Sequence, residues 1–277
     1  MRKPVRTHGC ATRRWKGDAL ELRITACDGC GFRGFSRCHD GTRRDGPRNH
    51  WNAWQALRKE KSIRERAIIL GTVAEIHKLA PEFQPSGPVG EDGFLLSRVQ
   101  IHGFDCLLVT SSTDRGVLYG AFALLSKIAR NENVSTLDQL QQPQVPVRWI
   151  DQWDNLNGTI ERGYAGPSIF FEKGSVRADL SRAREYARLL ASVGINGCTI
   201  NNVNADPKIL DDSFLSQLAR IADVFRPWGV RLSVSVDLGS PKSLGGLSSF
   251  DPLDPRVAEW WRLKVGEIYR QIPDFGG

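Results

Sequence analysis

Apolar positions along the chain follow two rhythms, separated by a polar stretch near residues 131–146. Ala67-Ile68-Ile69-Leu70 is a short apolar run closed by Gly71 and reads as a strand, and Val73 to Leu79 reads as a short helix. After a Pro/Gly-rich break at Pro81 to Gly90, Gly93 to Ile101 and Cys106 to Thr110 read as two strands around a four-residue turn, His102-Gly103-Phe104-Asp105. Ser112-Thr113 then supplies an N-cap for a helix whose Val117, Leu118, Ala121, Phe122, Leu125, Ile128 and Ala129 share one face. The spacing predicts a small α+β layer over residues 67–130, followed by a polar linker over 131–146.

Beyond the linker the rhythm changes. Val147 to Asp151, Ile195 to Ile200 and Val230 to Val236 read as strands, each leading through a loop to a helix: Val176 to Val193, Asp211 to Phe225 and Pro255 to Gln271. Gly194 stops the first helix, Pro227 and Gly229 break the second, and Pro255 suits the first turn of the third. Ile272 to Gly277 runs toward a fourth strand. Repeated strand, loop and helix is the signature of a parallel sheet. Polar and aromatic residues crowd every strand C-terminus (Asp151 to Asn155, Asn201 to Asn204, Asp237 to Pro241), and no Gly-rich phosphate fingerprint follows the first strand. Both features favour a barrel over a doubly wound sheet, because a (β/α)8 barrel builds its active site at that edge. A full barrel takes about 250 residues, and 147–277 hold about three and a half units. The fold class expected is α/β: a small N-terminal α+β domain followed by an incomplete (β/α)8 TIM barrel.

Composition places the chain among globular proteins: 277 residues, 40% hydrophobic and 25% charged, exclude a disordered, collagen-like or coiled-coil protein. There is no run of ~18 apolar residues, so no membrane partner is expected. The net charge of +7 is unevenly spread. Residues 1–70 hold 17 Lys/Arg against 7 Asp/Glu, leaving 21 basic and 24 acidic residues for the remainder.

Residues 1–66 read as a basic, disordered or aberrant leader. They carry Cys10, Cys27, Cys30 and Cys38, and Cys27-x-x-Cys30 with Cys38-His39 has a loose zinc-knuckle look. The basic stretch could also grip a nucleic-acid backbone, but it lacks interleaved aromatics for base stacking, and no nucleic-acid partner is expected. Met1 to Arg14 has no apolar segment after its basic residues and does not read as a signal peptide.

The run Asp151-Gln152-Trp153-Asp154-Asn155-Leu156-Asn157-Gly158-Thr159-Ile160-Glu161-Arg162-Gly163-Tyr164-Ala165-Gly166 closely resembles the first-strand motif of the family 67 glycoside hydrolases. These are α-glucuronidases that remove (4-O-methyl)glucuronic acid from xylan. The likeness continues at Gly194 to Gly197, Asn201 to Ala205, Ser240-Pro241, Leu244 to Leu247, Asp251 to Pro255, Ile268 to Arg270 and Ile272 to Gly277. Upstream, Thr113 to Gly120 resembles the family's N-terminal domain, so the resemblance covers roughly residues 67–277.

A uronic acid offers a ring face, several hydroxyls and a carboxylate, so its pocket needs an aromatic platform, carboxylate and amide acceptors, and cations. Trp153 can supply the platform, Asp154, Asn155 and Glu161 the hydroxyl partners, and Arg162 can pair with a carboxylate or hold Glu161. The resemblance implies that Trp153 and Val203 border the sugar's O-methyl side and that Glu161 sits in or just behind the pocket. Asn201 and Asn202 complete the expected substrate-binding set, with Asn202 the strongest of the asparagines.

Plainer roles stand beside these. Trp149 falls inside a strand and reads as core. Trp153 could cap a barrel mouth as a loop aromatic, Glu161-Arg162 could be only a structural ion pair, and Asn201, Asn202 and Asn204 could satisfy loop backbone groups. Cys106 and Cys198 read as buried thiols, His77 and His102 as surface residues.

By resemblance the reaction is hydrolysis with inversion, using a glutamic acid after the fourth barrel strand and a carboxylate pair on later strands. None of these falls within residues 1–277, so no catalytic residue is assigned and the chain alone is expected to be inactive. An open piece of barrel would leave a parallel edge unpaired and helix faces uncovered. The expected partners are glucuronoxylan or aldouronic oligosaccharides, acting extracellularly; full-length members are implied to form homodimers. No cofactor or metal is expected. Alternatives are a non-catalytic carbohydrate-binding fragment, or a leader that binds zinc or nucleic acid.

Overall fold

The computed structural model describes Arg23–Ala26, Ile63 and residues 66–277. Its first layer is a sheet of β1 (Arg23–Ala26), β2 (Ala67–Thr72), β3 (Phe94–Ile101), β4 (Phe104–Ser111) and β5 (Asp138–Gln141), in the order β1-β2-β4-β3-β5. β1, β2 and β4 run parallel; β3 is antiparallel to both β4 and β5. β1 lies inside the segment read as a leader, and β5 inside the stretch read as a linker. The zinc-knuckle cysteines and most of the basic stretch lie outside the described residues.

The hairpin between β3 and β4 turns on two residues rather than four. His102 and Gly103 both take left-handed backbones (φ 52° and 81°), which match the twist of the flanking strands, so Phe104 and Asp105 are already paired. α1 (Val73–Leu79) starts from a capping box in which Thr72 and Glu75 satisfy each other's backbone amides.

α2 (Asp114–Ala129) starts at Thr113, whose hydroxyl accepts from the Gly116 amide, and lies on the sheet. Gly120 makes that close approach possible: a Cβ there would sit 2.7 Å from Val109 Cγ1 and 3.0 Å from Phe94 Cβ.

The second layer contains β6 (Trp149–Asp151), β9 (Gly197–Thr199) and β10 (Arg231–Ser233), all parallel, with β9 in the centre. Between β6 and β9 the chain makes a small hairpin, β7 (Phe171–Glu172) and β8 (Ser175–Val176), before α3 (Ser181–Ser192). α4 (Asp212–Phe225) joins β9 to β10, and the short α5 (Ser240–Ser243) precedes α6 (Pro255–Gln271), capped by Asp254. The helix expected from Val176 therefore begins later, because Phe170 and Phe171 are drawn into the core.

Side chains alternate across the strands. Ile150, Cys198, Leu232, Ile200 and Val234 point to the helices and join Ala187, Leu190, Leu218 and Phe225 in one core. Phe170 anchors this core against Phe171, Tyr186 and Phe225, with ring centroids 6.0–6.3 Å apart. Each fully buried Phe contributes about 1.5–3 kcal/mol over an exposed one.

The two layers meet at the N-terminal ends of β6, β9 and β10. Phe122 of α2 contacts Trp228, with ring centroids 6.4 Å apart, and the Tyr119 hydroxyl donates to the Ile195 carbonyl at 3.4 Å. Buried Asp92 accepts from Arg115 Nε at 2.6 Å, from an Arg148 guanidinium nitrogen at 2.7 Å and from Asn196 Nδ2 at 3.1 Å. This docking covers one end of the parallel sheet and leaves its C-terminal end open.

Past β10, the Gly276 amide donates to the Leu232 carbonyl at 2.7 Å, and the Val234 amide to the Gly277 carbonyl at 3.1 Å. The last residues thus lie along the free edge of β10, where the sequence pattern predicts a fourth strand.

Candidate functional site

At the open end, β6 and β9 present their C-terminal loops. The loop after β6 folds back on itself: the Glu161 amide donates to the Trp153 carbonyl at 2.7 Å and the Asn155 amide to the Thr159 carbonyl at 2.8 Å. The Asn202 amide then donates to the Asp154 carbonyl at 2.7 Å, tying this loop to the one after β9.

Asp154, Asn155, Asn201 and Asn202 line one cleft of about 200 Å³, with Leu156, Asn157, Asn204, Ala205 and Asp206. Trp153, Glu161, Arg162 and Val203 do not line it. The expected substrate residues therefore divide between this cleft and the rim of the sheet.

Within the cleft the asparagines differ. Asn201 accepts from the Ser235 amide at 2.8 Å and donates to the Ser235 carbonyl at 2.9 Å, a two-point clamp between the ends of β9 and β10. Asn155 Nδ2 is spent on Thr159 Oγ1 at 2.9 Å and the Glu161 carbonyl at 2.7 Å. Asn202 Oδ1 caps the Asn204 amide at 2.9 Å, while its Nδ2 has no partner among the described residues. Asn202 is thus the one of the three able to offer a donor to a ligand.

Asp154 is almost wholly buried (1%). Burial pushes its carboxyl above the ordinary carboxylate range, opposed by the Ser168 hydroxyl and the Ile169 amide. Ser168 Oγ itself accepts from the Phe170 and Phe171 amides at 3.0 and 2.9 Å, which fixes the turn into β7, while neither Asp154 oxygen makes a hydrogen bond of normal geometry among the described residues. Nearby Gln152 donates to the Tyr186 hydroxyl. Burial, with smaller contributions from Cys198 and Asp154, raises Tyr186 to about 12. Burial likewise raises the Cys198 thiol, an inert core group.

On the rim, Trp153 is 40% exposed, and its Nε1 donates to Asp151 Oδ2 at 3.2 Å. Val203 is half exposed and free to meet a ligand. Glu161 adopts a left-handed backbone (φ 53°) and forms no ion pair with Arg162 among the described residues. The nearby Glu161 carboxylate instead holds the Tyr164 phenol above its ordinary value. Arg162 is exposed.

Two residues escaped the sequence reading. Asp151 was legible only as a strand end, although its i,i+2 spacing to Trp153 was a usable signal; Tyr164 sat within a motif whose approach to the Glu161 carboxylate depends on the loop's fold.

Profiles of two family domains match this chain: the glycosyl hydrolase family 67 N-terminus over residues 52–124 and the family 67 middle domain over residues 127–277. The chain belongs to glycosyl hydrolase family 67. The match reaches back to residue 52, further than the residues that carried the resemblance.

Named relatives of this family 67 chain include "Probable alpha-glucuronidase A" of Aspergillus fumigatus, 43% identical over 229 residues, covering 80% of this chain and 27% of the relative. "Alpha-glucuronidase" of Hypocrea jecorina is 46% identical over 223 residues, covering 77% of this chain and 25% of the relative. The family 67 chain thus spans about a quarter of the length of the curated relatives it matches. Among solved structures, a GH138 enzyme targeting pectin rhamnogalacturonan II aligns over 92% of this chain and 38% of its own, with TM-score 0.51 and 12% identity. At that identity the likeness speaks for the fold.

Proposed function

We propose that this family 67 chain supplies the N-terminal domain and the first βα units of a TIM barrel in an α-glucuronidase. The enzyme hydrolyses the α-1,2 link of (4-O-methyl)glucuronic acid to xylan or xylooligosaccharides, with inversion, outside the cell. The observation that carries this reading is the open C-terminal end of a parallel sheet, where the Asn202 side chain lines a polar cleft and Trp153 and Val203 stand exposed on the loops that flank it. A barrel places its chemistry at that end. The unpaired outer edge of β6 among the described residues and the pairing of residues 276–277 along β10 both suit continuation of the sheet.

Inverting hydrolysis needs two carboxyls about 6.5–9.5 Å apart across the bond, one protonated and one activating water. No residue of this chain is assigned either role. Its part is to bind the uronic acid: Trp153 and Val203 against the ring and O-methyl group, Asn202 and Glu161 at the hydroxyls. Asn155 and Asn201 shape the loops behind.

A chimera tests the reading. Residues 52–277 would replace the matching segment of the Hypocrea jecorina α-glucuronidase, followed by NMR of an aldouronic oligosaccharide digest. The expected result is release of glucuronic acid whose first-formed anomer is β. A folded chimera that releases none, while the unaltered relative does, contradicts the proposal.

A further inference from the structure

Asp151 lies on the face of β6 turned away from the helices, in register with Thr199 of β9, which is in turn in register with Ser233 of β10. Two residues earlier on the same face, the Trp149 indole paves the sheet over Gly197 and reaches Gly276. Two residues later, the Trp153 indole leans back and donates its N–H to Asp151 Oδ2 at 3.2 Å. Asp151 Oδ1 accepts nothing among the described residues, and the side chain is exposed.

We propose that Asp151 is a positioning residue of the sugar site: Oδ2 fixes the Trp153 indole, and Oδ1 faces a hydroxyl of the pyranose lying against that indole. The inference rests on the uronic-acid reading above and adds to it a residue that recognises hydroxyls. A carboxylate suits both tasks, since its two oxygens offer about four acceptor sites, and one is already committed. An indole that is 40% exposed would otherwise have to be ordered by the ligand, at a cost to affinity that a standing hydrogen bond removes. Trp153 alone would bind any flat apolar face; Trp153 held by Asp151 selects a ring that carries an equatorial hydroxyl beside its apolar face.

Trp153 is one of eight tryptophans, so its signal is isolated by difference against Trp153→Phe. The experiment is a double-mutant cycle on the full 277-residue chain, reading tryptophan emission and the affinity for glucuronic acid. Asp151→Ala is expected to change the emission and to weaken binding by about fivefold or more. In the Trp153→Phe background it should leave the emission unchanged, and Asp151→Asn, which keeps an acceptor, should restore the parent emission. Equal emission changes in both backgrounds, or none in either, would overturn the positioning role. If the unaltered chain does not bind glucuronic acid, the uronic-acid reading and the Oδ1 contact fall together, while the emission cycle still decides whether Asp151 holds Trp153.

Discussion

The indole of Trp149 fills the space above Gly197, its registered neighbour on β9: a Cβ at Gly197 would sit 2.5 Å from the indole Cδ1. The far edge of the same ring would be 2.7 Å from a Cβ on Gly276. Trp149 therefore crosses the face of the sheet and rests on two backbones that have no side chain there. Gly197→Ala should destabilise the chain by ~1–3 kcal/mol through overpacking. Gly266→Ala in α6, where nothing lies within 4 Å, should stabilise it by ~0.5–1 kcal/mol through helix propensity. Urea unfolding of both variants checks this; equal effects would show that the Trp149 contact is not formed.

Two buried aspartates should give pH dependences of opposite sign. At Asp92 burial raises the carboxyl, but hydrogen bonds from Arg115 and Arg148 outweigh it, and the folded value lies below the ordinary 3.8. The unfolded state then binds its proton first, so the stabilisation is present above 3.8 and is lost as pH falls through the lower folded value. Asp92→Ala leaves Arg115 and Arg148 without their shared carboxylate and should cost ~3–5 kcal/mol at pH 7.

At Asp154 burial raises the folded value above 3.8, so there the folded state binds the proton first. Stability falls as pH rises from 3.8 through the raised value. Asp154→Asn should therefore stabilise the chain at pH 7 and lose that advantage below about pH 4. Thermal unfolding across this range separates the two residues; parallel slopes for both variants would refute the assignment.

Asn201 and Asn202 are adjacent in sequence and different in duty. Asn201→Ala breaks both hydrogen bonds to the Ser235 backbone and should destabilise by ~1–3 kcal/mol. Asn202→Ala loses only the cap on Asn204 and should cost ~1 kcal/mol or less while weakening glucuronic acid binding. Denaturation midpoints and sugar titrations of the two variants should rank them in opposite orders.

Elements with strong local signals were legible in the sequence. α6 begins at Pro255 and ends at Gln271 as expected, because Asp254 caps it and Pro255 suits the first turn. β5 was not legible: Asp138–Gln141 is polar, and its conformation comes from pairing with β3. The β7–β8 hairpin was missed because two-residue strands carry no period; Phe170 and Phe171 are fixed by distant Tyr186, Phe214 and Phe225.

The loops that carry the candidate residues were legible as strand ends, but the arrangement of their side chains was not. Trp153, Asp154 and Asn155 are consecutive, yet one stands on the rim, one is buried and one is spent inside its own loop. The short returns of that loop, with left-handed Glu161, Gly163 and Gly166, decide which is which.

The most direct measurement is a calorimetric titration of the 277-residue chain with an aldouronic oligosaccharide, repeated on Trp153→Ala. The account expects saturable binding without release of free glucuronic acid, weakened about tenfold or more by Trp153→Ala. A flat titration of the folded chain, or equal binding by Trp153→Ala, would contradict it.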